Sequence, residues 1–455
     1  MFINYFIKFK KRVALIDAKR NQLFLYEDLL KKIKYYDKFI KKNSVIVILA
    51  SNNVETIAFY LSCLNSKKKC VSIILDETFN KNFIESIIKK YKANIIFYPT
   101  KTLINKSYKK KLIIDDQVIS ETNYAINSIN TLNKLLLTTS GTTGSSKFVR
   151  LSKSNLESNS KSIIKSLKIN KNHTAMTMMP LGYSYGLSIL NTHLMKGAKI
   201  IISQKSIFEK DFWIFFKKFK VNSLSGVPAF YEYIKKLDLK KLNLKKLVYI
   251  SQAGGHLEAK TKNYLYNFAK KFHVKFYLMY GQTEASPRIS CLDVIKYPKK
   301  IRSVGKAIDG VHVKTIDKIK VAGELHVKGK NVCLGYSNNI LDLKKGDINR
   351  GHLNTGDLGY LDKDQFIHIK GRAKRFSKLY GFRINLDDIE IYLNKMHITC
   401  NCCSDDKKIF IKYEKLIDLK KIKKILYFKF NINPNSLEII KVKKLDMKNT
   451  LKQKF

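Results

Sequence analysis

The sequence predicts an α/β protein: a large N-terminal domain of parallel-type sheets with flanking helices, a small β lobe, and a small α+β domain at the C-terminus. Three observations predict it. Continuous apolar runs alternate with helix-periodic segments over roughly the first 300 residues. Past about Gly305 the apolar runs shorten and alternate in polarity between Gly and Asp turns. From Gly371 to Phe455 a compact mixture of helical and strand patterns follows. No internal repeat and no low-complexity linker interrupts the chain, lysine richness aside.

Each element has its own justification. SVIVILA (44–50) is apolar throughout, as a strand buried on both faces must be. VETIAFYLSCLNS (54–66) has helical periodicity, CVSIIL (70–75) is strand-like, FIESIIKKY (83–91) is helical and ANIIFYP (93–99) is again a strand. The strand texture returns at KLLLTT (134–139), KIIIS (199–203), VNSLSGVP (221–228), KLVYIS (246–251) and KFYLMYG (275–281). In the β lobe the strands are GELHVKG (323–329), TGDLGYL (355–361) and FIHIKG (366–371). Beyond it, LDDIEIYLNKM (386–396) predicts a helix with acidic residues in its first turn, where they meet the positive end of the helix dipole. IFIKYEK (409–415) predicts a strand and LKKIKKILYFKF (419–430) a second helix.

The 455 residues, 45% of them hydrophobic, are ample for two or three packed domains. No stretch reaches the apolar length of a bilayer span. The start, MFINYFIKFKKR, is apolar first and basic after, the reverse of a secretory leader, so a soluble, unprocessed, cytoplasmic protein is expected. Seven cysteines (63, 70, 291, 333, 400, 402 and 403) follow no framework spacing, which suits a reducing compartment. His397, Cys400, Cys402 and Cys403 lie close in sequence but lack a second ligand pair at zinc spacing; ITCNCC reads as a half-buried strand. The formal charge of +51 invites a nucleic-acid reading. Composition argues against it, because nearly all of the 87 basic residues are Lys, spread along the whole chain, whereas Arg supplies the planar fork that reads bases.

Chemistry enters at LLLTTSGTTGSSKFVRL, Leu135 to Leu151. A Walker loop needs Gly before its Lys and Ser or Thr after; here Ser146 and Phe148 flank Lys147, so that reading fails. What remains is Thr139-Ser140-Gly141-Thr142-Thr143-Gly144, a hydroxyl-rich loop whose glycines let backbone N–H groups converge on an anion. Ser154-x-x-Glu157 predicts a capping box and a helix start just beyond. Tyr280-Gly281-Gln282-Thr283-Glu284 follows a strand, at the edge where α/β sheets bind ligands, and combines a ring, a hydroxyl and a carboxylate. Thr355-Gly356-Asp357 puts a carboxylate in a tight turn, able to accept from both hydroxyls of a ribose. GRAKRFSKLYGFRINLDDIE (371–390) adds Arg372.

In this order and spacing the segments resemble the adenylate-forming superfamily: acyl-CoA synthetases, peptide-synthetase adenylation domains and firefly-type luciferases. ALIDAKRNQLFLYEDL (14–29), VIVILASNNVETIAFYLSCL (45–64), MMPLGYSYGLSILNTHLMKGAKIII (178–202) and GELHVKGKNVCLGY (323–336) extend the likeness over nearly the whole chain. The resemblance implies a large AMP-binding domain at 1–372 and a small, mobile C-terminal domain at 373–455, hinged near Lys374. It implies ATP and magnesium, with coenzyme A as a candidate acceptor. The glycine-rich loop from Thr139 to Gly144, with Lys147, would close over the β- and γ-phosphates. Tyr280, beside Gly281 and Thr283, would stack on adenine, and Gly255 would border the nucleotide. Glu284 would hold magnesium with help from Thr142 or Thr143, while Asp357 and Arg372 would hold the ribose. Lys452, in a segment similar to the family's Pro-x-x-x-x-Gly-Lys, would bridge the carboxylate and the α-phosphate; Lys448 and Lys454 compete for that role.

Four positions depart from the family pattern: Ser146 and Phe148 in the loop, Asp446 and Leu451 near the end. The implied reaction makes an acyl-adenylate with release of pyrophosphate and passes the acyl group to coenzyme A or to the phosphopantetheine of an acyl carrier protein, with the face around Lys378 to Gly381 turned to the thiol. Amino-acid-activating members hold the substrate ammonium with an aspartate where this chain has Tyr183-Ser184-Tyr185-Gly186. That favours a small carboxylic acid without an amino group, bordered by Tyr183, Gly186, Ala253 and Gly254. Competing readings are an amino-acid-activating enzyme, a luciferase-like oxidase, and a degenerate adenylation fold that binds nucleic acid.

Overall fold

A computed structural model describes residues 2–442 apart from 103, 106, 139–146, 238–243, 245, 320–321, 373–375, 380–381, 406 and 415–417. The chain forms two compact units, Met1–Thr138 with Phe148–Lys370 and a second built on Gly371–Phe455.

The first unit is organised by four sheets. Its largest has eight strands, in the order Gly335–Ser337, Phe148–Leu151, Leu135–Thr138, Cys70–Asp76, Ser44–Ala50, Ile95–Pro99, Gln117–Glu121 and Lys109–Ile114. The four strands from Leu135–Thr138 to Ile95–Pro99 are parallel. The outer ones pair antiparallel, which the alternation of apolar runs did not distinguish. Every residue of Ser44–Ala50 is buried, because helices cover both sheet faces. A fully buried Val, Ile or Leu of this kind contributes about 1.5–3 kcal/mol. The helix Val54–Asn65 is buried all round, and the Asn53 side chain caps it by accepting from Thr56 N.

A five-stranded sheet places Ser223–Gly226, Tyr249–Gln252 and Lys275–Gly281 in parallel, then adds Arg288–Asp293 and Lys306–Ala307 antiparallel. A four-stranded sheet joins Thr174–Met176, Lys199–Ile202, Val13–Asp17 and Gln22–Leu25. The β lobe is the antiparallel sheet Val311–Ile319, Ala322–Gly329, His352–Leu361 and Ile367–Arg372.

The helix after the Thr/Ser/Gly loop runs Lys153–Leu167, and its cap lies two residues earlier than the sequence predicts. Ser152 and Asn155, not Ser154 and Glu157, exchange the reciprocal bonds of a capping box. Asn155 thereby does what Glu or Gln does in the usual pattern, while Glu157 faces outward to Lys161 and Tyr5.

The second unit contains the hairpin Phe376–Leu379 and Phe382–Asn385, the helices Leu386–Lys395 and Leu419–Phe430, and a three-stranded sheet. Cys400–Ser404 and Ile409–Tyr413 pair antiparallel with Cys402 opposite Ile411, so the CNCC part of ITCNCC is a strand and Ile398 and Thr399 precede it. Leu437–Lys441, too short to stand out in sequence, completes the sheet in parallel. Among the described residues no group of three His, Cys, Asp or Glu could hold a metal, and no helix is long and apolar enough to cross a membrane.

Candidate functional site

The strands Tyr249–Gln252 and Lys275–Gly281 run side by side with Gln252 opposite Leu278. Their carboxyl ends therefore release two segments at one edge, Ala253–Gly255 and Gln282–Glu284, where open α/β sheets gather ligands. Ala253 is buried, and its N–H bonds Gly226 O at the end of the third parallel strand. Gly254 has φ +82°, and a Cβ there would lie 2.6 Å from the Tyr183 hydroxyl. Gly255 O accepts from Gln252 Nε2 at 2.9 Å, which pins the turn.

Tyr280 ends its strand half-buried, and its hydroxyl donates to Asp357 Oδ2 at 2.5 Å. Asp357 is 3% exposed on the strand His352–Leu361. Its own N–H bonds Thr355 Oγ1, which in turn donates to Leu325 O, so two strands of the β lobe and one of the five-stranded sheet meet around Asp357. A ring and a carboxylate held in fixed relation can grip a base and a sugar.

Glu284 sits one turn further on, in the short helix Thr283–Ala285, and is 8% exposed. Tyr336 Oη donates to its Oε1 at 3.0 Å. Burial, then the Glu284 charge and this bond, push the Tyr336 phenol far above its ordinary range. Burial and the same charge raise the Cys333 thiol to about 12. Thr283 Oγ1 lies 3.1 Å from Ser184 Oγ, which adds two hydroxyls to this segment. Oxygen donors around a buried carboxylate fit a hard divalent cation such as magnesium.

Tyr183 precedes the helix Ser184–Met195, and burial raises its phenol to about 12. Gly186 is buried in the first turn, where a Cβ would come within 2.5 Å of Pro180 O, so close packing requires glycine there. Lys147 is exposed immediately before the strand Phe148–Leu151. Thr139, Ser140, Gly141, Thr142, Thr143, Gly144, Lys374 and Lys452 lie outside the described residues. Of Arg372 only the backbone is described, at the end of the strand Ile367–Arg372.

Two residues of this edge escaped the sequence reading. Tyr336 is the last residue of GELHVKGKNVCLGY, a stretch read only as part of a pattern. Arg288 follows the Tyr280–Glu284 motif, opposite Gly281 across the strand pair, and is 3% exposed. Its guanidinium carbon lies 4.6 Å from the centre of the Tyr185 ring. The available clue is rarity: only nine of the 87 basic residues are Arg, so each one resists the lysine bias of the chain.

The model of the AMP-binding enzyme family matches residues 8–337. A 4-coumarate–CoA ligase of Humulus lupulus is 31% identical over 271 residues, 56% of this chain and 49% of that protein. An oxalate–CoA ligase of Arabidopsis thaliana is 26% identical over 356 residues, 76% of this chain and 67% of that protein. The matched stretch thus spans about half the length of the Humulus enzyme. The o-succinylbenzoate coenzyme A synthetase of Bacillus subtilis, solved with ATP and magnesium ion, superimposes with a TM-score of 0.66 at 18% identity, covering 98% of this chain and 96% of that one. At that identity the likeness establishes the two-domain fold.

Proposed function

This chain belongs to the AMP-binding enzyme family, and we propose that it uses ATP to join a small carboxylic acid to a thiol. In the first step a carboxylate oxygen attacks the α-phosphorus of ATP, the bond to pyrophosphate breaks, and a mixed acyl-phosphate anhydride forms. In the second, a thiolate attacks the acyl carbon and AMP leaves. The observation that carries this reading is the Tyr280–Asp357 pair, held at 2.5 Å beside buried Glu284 at the carboxyl edge of the sheet. Tyr280 would receive the adenine, with Asp357 and Arg372 on the ribose hydroxyls. Glu284 would hold magnesium, which supplies positive charge for the phosphates. Two anions meet in the first step, so a cation at the reacting atoms is required, and Lys452 is our assignment for it. The loop from Thr139 to Gly144, with Lys147, would close over the leaving pyrophosphate.

We assign 1–372 to nucleotide and acid binding and 373–455 to a domain that turns near Lys374 between the two steps. Coenzyme A as the acceptor is supported by the activities named for the Humulus and Arabidopsis relatives; a carrier-protein phosphopantetheine presents the same thiol. A reducing, cytoplasmic setting suits the free cysteines. ATP–pyrophosphate exchange across a panel of carboxylic acids tests the proposal. Exchange with at least one acid, lost in Glu284→Ala, is the expected result; no exchange with any acid sinks it.

A further inference from the structure

Among the described residues two arginines are buried almost completely, and the chain treats them differently. Arg150 is 0% exposed and bonded through each of its three nitrogens: its guanidinium donates to Tyr336 O, Lys345 O, Leu334 O and Asn133 Oδ1. Arg288 is 3% exposed, yet its Nε has no hydrogen-bond partner and no ion pair among the described residues involves it. Its electrostatic neighbours are the phenols of Tyr185 and Tyr183 and the Cys291 thiol, with no carboxylate among them. Burial without a counter-charge pulls its proton affinity below the ordinary guanidinium range.

A buried cation with unspent donors is costly, and native proteins keep one where a ligand completes it. The surroundings say which ligand. Arg288 packs on Tyr185, whose ring stands 6.4 Å from that of Tyr183. Tyr183 in turn reaches Gly254, one of the residues assigned above to the acid. The guanidinium therefore lies against the Tyr185–Tyr183 pair that borders the acid side of the site, while its backbone pairs with Gly281. Its planar fork matches a carboxylate, which it can hold through two parallel bonds.

We propose that Arg288 receives a second, distal carboxylate of the substrate, so that the enzyme activates one end of a dicarboxylic acid while the other end stays bound. This rests on the adenylation reading and sharpens it. Only the first carboxylate forms a bond to phosphorus and expels pyrophosphate; the distal one remains ionised on Arg288 and changes no bond. Tyr183 and Tyr185 would line the stem between the two ends.

The test is ATP–pyrophosphate exchange by the full chain with a series of linear and aromatic dicarboxylic acids. Each is paired with its monoamide and with the monocarboxylic acid of equal length. We expect at least one diacid to exceed both partners in kcat/KM by about 100-fold, the scale of a charge-assisted bidentate contact. Arg288→Met should collapse that ratio toward one, and Arg288→Lys should recover part of it. If Arg288→Met does not fold, Arg288→Lys alone decides, through a raised KM for the diacid against an unchanged KM for ATP. Equal use of diacids and monoacids by the wild type, or a ratio untouched by substitution, overturns the Arg288 assignment and leaves adenylation standing. No exchange with any acid overturns both.

Discussion

The Tyr280 hydroxyl and the Asp357 carboxylate meet at 2.5 Å although 77 residues separate them in sequence. The bond fixes the tilt of a half-buried ring against a buried carboxylate. Asp357→Ala should therefore act twice, by removing a ligand for the ribose hydroxyls and by freeing the ring. A charge-assisted bond contributes about 1.5–3 kcal/mol, so the KM for ATP should rise about 10- to 100-fold. Tyr280→Phe keeps the ring and should cost less than tenfold. Exchange kinetics at varied ATP check both; equal effects of the two substitutions would contradict this division of labour.

Glu284 and Tyr336 give a second pair, joined at 3.0 Å. If Glu284 holds magnesium, Glu284→Gln should raise the magnesium concentration for half-maximal exchange at least tenfold, while KM for the acid stays within about twofold. Tyr336→Phe leaves the buried carboxylate one donor short, which costs about 1–3 kcal/mol of stability. A magnesium titration and urea unfolding separate the two effects. An unchanged magnesium requirement in Glu284→Gln would remove Glu284 from the metal site.

Gly254 offers a steric test. Alanine there must adopt φ +82° and place its Cβ 2.6 Å from the Tyr183 hydroxyl. The strained backbone costs about 1–3 kcal/mol, and the displaced phenol narrows the acid side of the site. Gly254→Ala should lower kcat/KM for the acid about tenfold or more and leave ATP binding nearly unchanged. Equal losses for acid and ATP would mean that the turn, not the pocket, had been damaged.

The sequence reveals what is local and repeated, and hides what depends on contacts across the chain. SVIVILA at 44–50 was readable because burial on both faces leaves no polar alternation to misread. KFYLMYG and its motif were readable because a strand ending in a small residue is a local event. The Tyr280–Asp357 bond was not, since nothing in either segment specifies the other. The capping box was misplaced because Asn155, unlike Glu157, does not match the commoner pattern. Arg288 was passed over for a similar reason. Its side chain is buried against Tyr185, a residue distant in sequence, and such partners are invisible when each run is read alone. The lysine-rich tail containing Lys452 carries too many lysines for spacing to single one out.

The helix that begins after Tyr183 also carries a pH-sensitive stability element. His193 is 1% exposed, with Nδ1 2.8 Å from Ile189 O and Nε2 3.3 Å from the Tyr249 hydroxyl. A proton on Nδ1 donates to the carbonyl, and neutral Nε2 accepts from the phenol, so the neutral ring satisfies both contacts. Burial lowers its pKa from 6.5 to about 4, with the His173 ring lowering it further and the Ile189 bond opposing. The folded value lies below the unfolded one, so the unfolded chain binds the proton first. The stabilisation is therefore complete above pH 6.5 and is lost as pH falls toward about 4. Between pH 8 and pH 5 this one residue should account for about 2 kcal/mol of lost stability. His193→Gln keeps a donor and an acceptor but cannot take up the proton. Urea unfolding at pH 8, 6.5 and 5 should show a shallower pH dependence in the variant, and curves that run parallel to the wild type would exclude His193 as the titrating group.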